Sequence, residues 1–193
     1  MGALSRWILK LLGWQIINDL PDDKRYMLIV APHTSNWDFV YGVLAKSAVH
    51  LKVNFLGKDT LFKWPLGWWF RALGGIPVIR DQKLNMVEQM VVQFKQRNHM
   101  ILTMSPEGTR SRLDNWKSGF YHIACGAGVP IVMATLNFAD KQIKLGGRFM
   151  PSGDVSRDMD KVRDFYAGIE GKKPKNQGPI RLKIEQSKKP KPD

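Results

Sequence analysis

A single α/β domain, its mostly parallel or mixed sheet flanked by helices, is the fold class that three features of this 193-residue chain predict. Short apolar runs of strand length alternate with longer stretches of helical spacing, the pattern of strands joined by crossover helices. The length is that of one domain, and 44% of the residues are hydrophobic, enough for a substantial core. No internal repeat or interior linker breaks the alternation.

Residues 1–18 read as an amphipathic helix. Leu4, Trp7, Ile8, Leu11, Leu12, Trp14 and Ile17 recur at roughly helical spacing, with Arg6, Lys10 and Gln15 between them. The segment is too short and too interrupted to span a bilayer, and Lys10 breaks the apolar core that a cleavable signal requires. Arg6 stands where a myristoylation motif needs Ser or Thr. A helix lying in the membrane interface, with Trp at the headgroup level, is the expectation.

The domain proper is placed at 19–170. A buried strand over 27–31 (MLIVA) is halted by Pro32, since a residue before proline avoids the helical region. A helix over 37–49 and a strand over 52–56 follow. Next comes an aromatic segment, Phe62 to Arg71, whose Trp64, Trp68 and Trp69 are interleaved with Lys63 and Arg71 and suit a surface between lipid and water. The order continues with a strand over 76–79, a helix over 84–97, a strand ending at 104, a helix over 119–125, strands over 129–136 and 142–145, and a helix over 155–166.

Charge is unevenly spread. Of the net +13, the stretch 171–193 supplies +6, with eight Lys or Arg against two acids and four prolines. It reads as a basic, largely flexible tail, with 180–185 as a late strand. Held near an anionic bilayer, each Lys or Arg contributes about 1 kcal/mol of attraction. One cysteine excludes a disulfide framework and cysteine-based zinc, and fits a reducing compartment. Cys125, among small residues, reads as a buried structural thiol. His50, His99 and His122 lack metal-ligand spacing, so no metal is expected. No Gly-x-Ser-x-Gly elbow, phosphate-cradling Gly-x-x-x-x-Gly-Lys loop or nucleic-acid motif is present.

The chemistry concentrates in two polar loops that follow apolar runs. The first is His33-Thr-Ser-Asn-Trp-Asp38. An imidazole accepts a hydroxyl proton at neutral pH, and a carboxylate on its other ring nitrogen fixes the tautomer and steadies the imidazolium that forms. Emerging from the carboxyl end of a strand, His33 lies where open α/β sheets bind ligands. The second is Ser105-Pro-Glu-Gly-Thr-Arg110, after the run Met100 to Met104. An Arg fork matches phosphate oxygens, and glycine lets backbone N–H groups approach an anion.

In order along the chain, His33 to Asp38, Gly75-Ile-Pro-Val-Ile-Arg80, Pro106-Glu-Gly-Thr-Arg110 and Val129-Pro-Ile131 resemble the four blocks of the glycerophospholipid acyltransferases, whose best-known members act on lysophosphatidic acid. The resemblance covers about 27–136. It implies that His33 is the general base oriented by Asp38, and that the set Arg80, Glu107, Gly108, Thr109 and Arg110 binds the glycerol phosphate of the acceptor, with Arg80 and Arg110 on the phosphate and Glu107 and Gly108 shaping the loop. It also implies an acyl-CoA or acyl-ACP thioester as co-substrate, no bound cofactor, and a lysophospholipid acceptor such as 1-acyl-glycerol-3-phosphate. With the basic tail and the amphipathic start, it places the chain peripherally on the cytoplasmic face of an anionic membrane. Two alternatives stand beside this reading. One is an acyltransferase for glycerol phosphate or another lipid alcohol. The other is a non-enzymatic basic membrane- or nucleic-acid-binding module, for which His33 and Asp38 would be dispensable.

Overall fold

Strand β2 (Arg25–Ala31) is the axis of the sheet, and its sequence explains why. Met27, Ile29 and Ala31 point into one buried cluster while Tyr26 and Leu28 point into another, so the strand is covered on both faces. A strand buried on both sides reads as an unbroken apolar run rather than an alternating one. The computed structural model describes residues 2–65, 67–72, 74–78 and 85–188.

Among the described residues the order of elements is α1 (Gly2–Leu11), β1 (Gln15–Asn18), β2, α2 (Trp37–Ala48), β3 (Asn54–Lys58), α3 (Gly67–Ala72), β4 (Gly75–Val78), α4 (Met86–Gln96), β5 (Met100–Met104), α5 (Gly119–Ala127), β6 (Ile131–Asn137), β7 (Gln142–Phe149) and α6 (Val155–Phe165). The seven strands form one sheet in the order β1-β7-β6-β2-β5-β3-β4. Every pairing is parallel except β6 with β7. The mixed α/β domain expected from the sequence is therefore observed, and β2 lies between β5 and β6 with Ile29 level with both Met104 and Met133.

The helices divide by the direction of their crossovers. Leu9 of α1 and Ala45 and Ala48 of α2 fill one cluster, while Met90 and Phe94 of α4, Phe120 and Ile123 of α5, and Met159 and Val162 of α6 fill the other. The right-handed rule for parallel connections puts α3 on the α2 side, because β2-α2-β3 and β3-α3-β4 advance across the sheet in the same direction. Packing agrees: the direction a side chain would take from Gly75 meets Phe62 and Phe70, whereas neighbouring Ile76 joins the α4–α6 cluster.

Three expectations are corrected. The N-terminal helix ends at Leu11 rather than reaching 18, because Gly13 adopts φ 78°. Trp14 N–H then bonds Leu9 C=O at 2.8 Å and Gly13 N–H bonds Lys10 C=O at 3.0 Å, the paired bonds of a helix stop that needs a left-handed residue. Residues 15–18 become β1, pairing with a strand more than a hundred residues away. Secondly, the stretch from 171, expected as a flexible tail, lies on the domain as far as it is described. Leu182 is fully buried and bridges Trp116, and a 3₁₀ turn from Lys183 replaces the expected strand. Thirdly, Cys125 is exposed on α5 rather than buried.

Phe94 is fully buried in the larger cluster and Cys125 is not. Phe94→Ala is expected to lower unfolding free energy by about 3–5 kcal/mol in denaturant titrations. Cys125→Ser should change it by less than about 0.5 kcal/mol.

Candidate active site

Two loops leave adjacent parallel strands at the same edge of the sheet. The loop after β2 carries His33, and the one after β5 carries Glu107. Position within this first loop follows from the spacing of its residues. Asp38 is the second residue of α2, so its carboxylate folds back over the residues that connect strand to helix. One oxygen, Oδ2, accepts from Thr34 N–H at 2.7 Å and Ser35 N–H at 2.8 Å, and lies 3.2 Å from His33 Nδ1. The amino end of a helix favours a carboxylate as well. Ser35 Oγ accepts from Trp37 N–H at 3.0 Å, occupying one of the free donors of the first turn.

This arrangement gives the two imidazole nitrogens different work. Nδ1 is turned to Asp38, so Nε2 is the nitrogen on the ring's other side. The Asp38 side chain is 2% exposed and that of His33 25%, so the carboxylate is sealed while the ring reaches solvent. That contrast is what a general base with a buried orienting partner requires.

Glu107 is turned inward. Its Oε2 accepts from His33 backbone N–H at 2.6 Å and from Ser105 Oγ at 3.1 Å, tying the second loop to the first. Burial is the largest influence on its carboxyl and holds the pKa above the ordinary 4.5, partly offset by these two hydrogen bonds. Grouped with the phosphate-binding set on sequence grounds as a residue that shapes its loop, Glu107 gives its Oε2 to the His33 loop and to Ser105. No ion pair joins it to Arg110 among the described residues. Gly108 has φ 68° and closes the turn with its N–H on Ser105 C=O at 3.2 Å. Thr109 Oγ1 accepts from Ser111 N–H at 3.3 Å, and Arg110 is exposed beyond it. Arg80, the remaining phosphate candidate, lies outside the described residues.

Beneath the loops, the buried Tyr166 hydroxyl reaches the carbonyls of Ile29 at 3.0 Å and Ala134 at 3.1 Å, bridging β2 and β6 just below the site. Sequence reasoning missed it, as it missed Thr34 and Ser105. Ser105 had a signal, lying two residues before Glu107; Tyr166 had none, because its partners are backbone atoms of distant strands. Among the described residues no group of His, Cys, Asp and Glu could hold a metal ion.

Residues 15–136 match the family described as Acyltransferase. The chain belongs to that family. It is thus an enzyme of the acyltransferase class, and the region matched contains both loops and the four motif blocks. It is similar to the 1-acyl-sn-glycerol-3-phosphate acyltransferase of Haemophilus influenzae, at 27% identity over 189 residues, 86% of this chain and 77% of that protein. The protein of the same name from Escherichia coli is 30% identical over 156 residues, 72% of this chain and 62% of the relative. In fold, the chain resembles the crystal structure of the 1-acyl-sn-glycerophosphate (LPA) acyltransferase from Thermotoga maritima, with a TM-score of 0.55, 18% identity, and coverage of 85% of this chain and 72% of that one.

The raised Glu107 pKa has a signed consequence. The folded protein keeps this proton to higher pH than the unfolded chain, so stability falls as pH rises from the ordinary 4.5 through the folded value. Glu107→Gln keeps an acceptor oxygen but has no charge to bury. Thermal melts of the variant between about pH 4 and 8 should lack that part of the wild-type slope.

Proposed function

We propose that this acyltransferase moves a fatty acyl group from a thioester, acyl-CoA or acyl-ACP, to the free hydroxyl of a lysophospholipid, with 1-acyl-glycerol-3-phosphate as the acceptor. The observation that carries the reading is the solvent-accessible His33, whose Nδ1 lies 3.2 Å from buried Asp38 at the carboxyl edge of the sheet. In this scheme Nε2 takes the acceptor hydroxyl proton as the oxygen attacks the thioester carbonyl carbon. The tetrahedral intermediate collapses, the carbon–sulfur bond breaks, and the thiolate leaves and is reprotonated from the imidazolium. A thiolate is a good enough leaving group that no covalent acyl-enzyme is needed. Exposed Arg110, with Thr109 and the Gly108 backbone, serves the acceptor phosphate, and Arg80 belongs to the same set on sequence grounds. The names of the relatives support the choice of acceptor.

We propose that this work takes place at a membrane, on its cytoplasmic face, and the surface character supports the membrane contact. No described helix is long and apolar enough to cross a bilayer. Large apolar side chains are nevertheless exposed on the side of the sheet that carries α1, α2 and α3: Trp7 60%, Phe39 69%, Trp68 71% and Trp64, just before α3, 92%. Leu4 and Leu11 lie with Trp7 on the outer face of α1, and Val40 and Val43 with Phe39 on that of α2. Lys10, Lys63 and Arg71 accompany these groups, and cations among interfacial aromatics suit an anionic lipid surface.

His33→Ala and Asp38→Asn are expected to lower turnover of lysophosphatidic acid with acyl-CoA by about 100- to 10,000-fold, read as product by mass spectrometry. Near wild-type rates in His33→Ala would sink the proposed base. Independently, replacing Trp7, Trp64 and Trp68 together with Ala should weaken sedimentation with anionic vesicles while leaving the melting temperature near that of wild type.

A further inference from the structure

The family match ends at residue 136, yet the segment after α6 returns across the site. It passes the carboxyl ends of three neighbouring strands in turn. Beyond β6, Phe138 N–H donates to Glu170 C=O at 2.9 Å, and Glu170 N–H donates to Asn137 Oδ1 at 3.4 Å. Beyond β2, Lys173 N–H donates to Thr34 Oγ1 at 3.1 Å, and Asn176 Nδ2 donates to Thr34 C=O at 3.4 Å. Beyond β5, Arg112 donates to Gln177 C=O at 2.6 Å, and Trp116 N–H donates to Arg181 C=O at 2.8 Å. The segment is also tied to itself, Gln177 Oε1 accepting from Gly171 N–H at 3.2 Å and Gln177 Nε2 donating to Ile169 C=O at 2.8 Å.

Thr34 is where this matters. It follows His33 and is 1% exposed. Its N–H is given to Asp38, its hydroxyl oxygen to Lys173 and its carbonyl to Asn176, so its backbone is held from the catalytic side and from the strap together. Contact is close as well. A methyl group added at Gly171 would come within 2.7 Å of Thr34 Oγ1, 2.9 Å of Thr34 Cγ2 and 3.1 Å of Pro32 Cγ. Lys172 adds a tie to the first residue of α2, its ammonium 6.0 Å from the Trp37 ring and 5.5 Å from that of Phe138.

We propose that residues 171–177 form a strap that positions the catalytic loop, with Thr34 as the positioning residue through which the strap sets the His33–Asp38 geometry. The proposal rests on His33 being the base. A strand-to-helix loop at a sheet edge is ordinarily a mobile part of a fold. Here a segment remote in sequence occupies the hydroxyl and carbonyl oxygens of Thr34 in that loop, so the imidazole is held in place before substrate arrives. An error of about 1 Å in such placement costs on the order of 100-fold in rate, whereas a binding contact elsewhere would alter affinity instead.

The test uses the full chain with lysophosphatidic acid and acyl-CoA, comparing Thr34→Val, Thr34→Ser and Gly171→Ala with wild type and His33→Ala. Thr34→Val removes the acceptor for Lys173 at nearly constant volume, Thr34→Ser restores it, and Gly171→Ala pushes the strap without touching the loop's own sequence. Thr34→Val and Gly171→Ala should lower kcat by about 10- to 100-fold with acceptor KM changed less than about threefold, and Thr34→Ser should recover most of the loss. Nitrogen NMR of the His33 ring should show a diminished Nδ1–H population in the two impaired variants at a temperature where all are folded. Unchanged kcat in both, or an equal deficit in Thr34→Ser, overturns the strap while His33→Ala remains inactive. Activity in His33→Ala overturns the base assignment, and the strap with it.

Discussion

Parallel pairing of β2 with β5 brings two chain segments some seventy residues apart to the same edge with their carboxyl ends level, and everything in the site is built from that coincidence. Each strand ends in a loop, and a loop alone has neither the apolar contacts nor the hydrogen bonds to hold a side chain to fractions of an ångström. The Glu107 carboxylate supplies one of the missing restraints by accepting the His33 backbone N–H. Asp38 supplies another, gathering Thr34, Ser35 and the His33 ring around a single oxygen.

These carboxylates are buried for different ends. Asp38 faces the imidazole; Glu107 touches the main chain of His33 and the hydroxyl of Ser105. Desolvating a carboxyl is costly, and the cost shows in the upward displacement of the Glu107 pKa. An apolar residue would be cheaper to bury there. It could not accept an N–H from a loop that has no strand beside it.

On one side of the sheet the covering helices α1, α2 and α3 present exposed apolar groups to solvent, while α4, α5 and α6 cover the opposite side. The exposed groups of α1, α2 and α3 are not deficits in core packing, since the inner faces of α1 and α2 contribute Leu9, Ala45 and Ala48 to a closed cluster. A helix whose two faces are both apolar, one against the sheet and one outward, fits contact with a second apolar phase. Because α2 begins at the His33 loop, such a surface adjoins the candidate site rather than lying apart from it.

Local signals in the sequence determined the strands over β2, β5 and β6, the α/β class, the His33–Asp38 pair and the polar loop at 105–110. Each depends on periodicity, on proline or on short spacing, all of which act over a few residues. The strand at 15–18 escaped that reading because its apolar residues continue the helical spacing of α1, and only the turn at Gly13 and pairing with β7 make it extended. Glu107 escaped it differently: residue type and motif marked the position, but its hydrogen bond to the His33 backbone, 74 residues away, could not be read from local spacing. Basic composition concealed the packing of 171–185, since eight cations and four prolines over 171–193 look unfoldable in isolation. What overcame that composition was the edge of a finished sheet, which offered Thr34, Asn137 and Trp116 as partners that exist only once β2, β5 and β6 lie side by side.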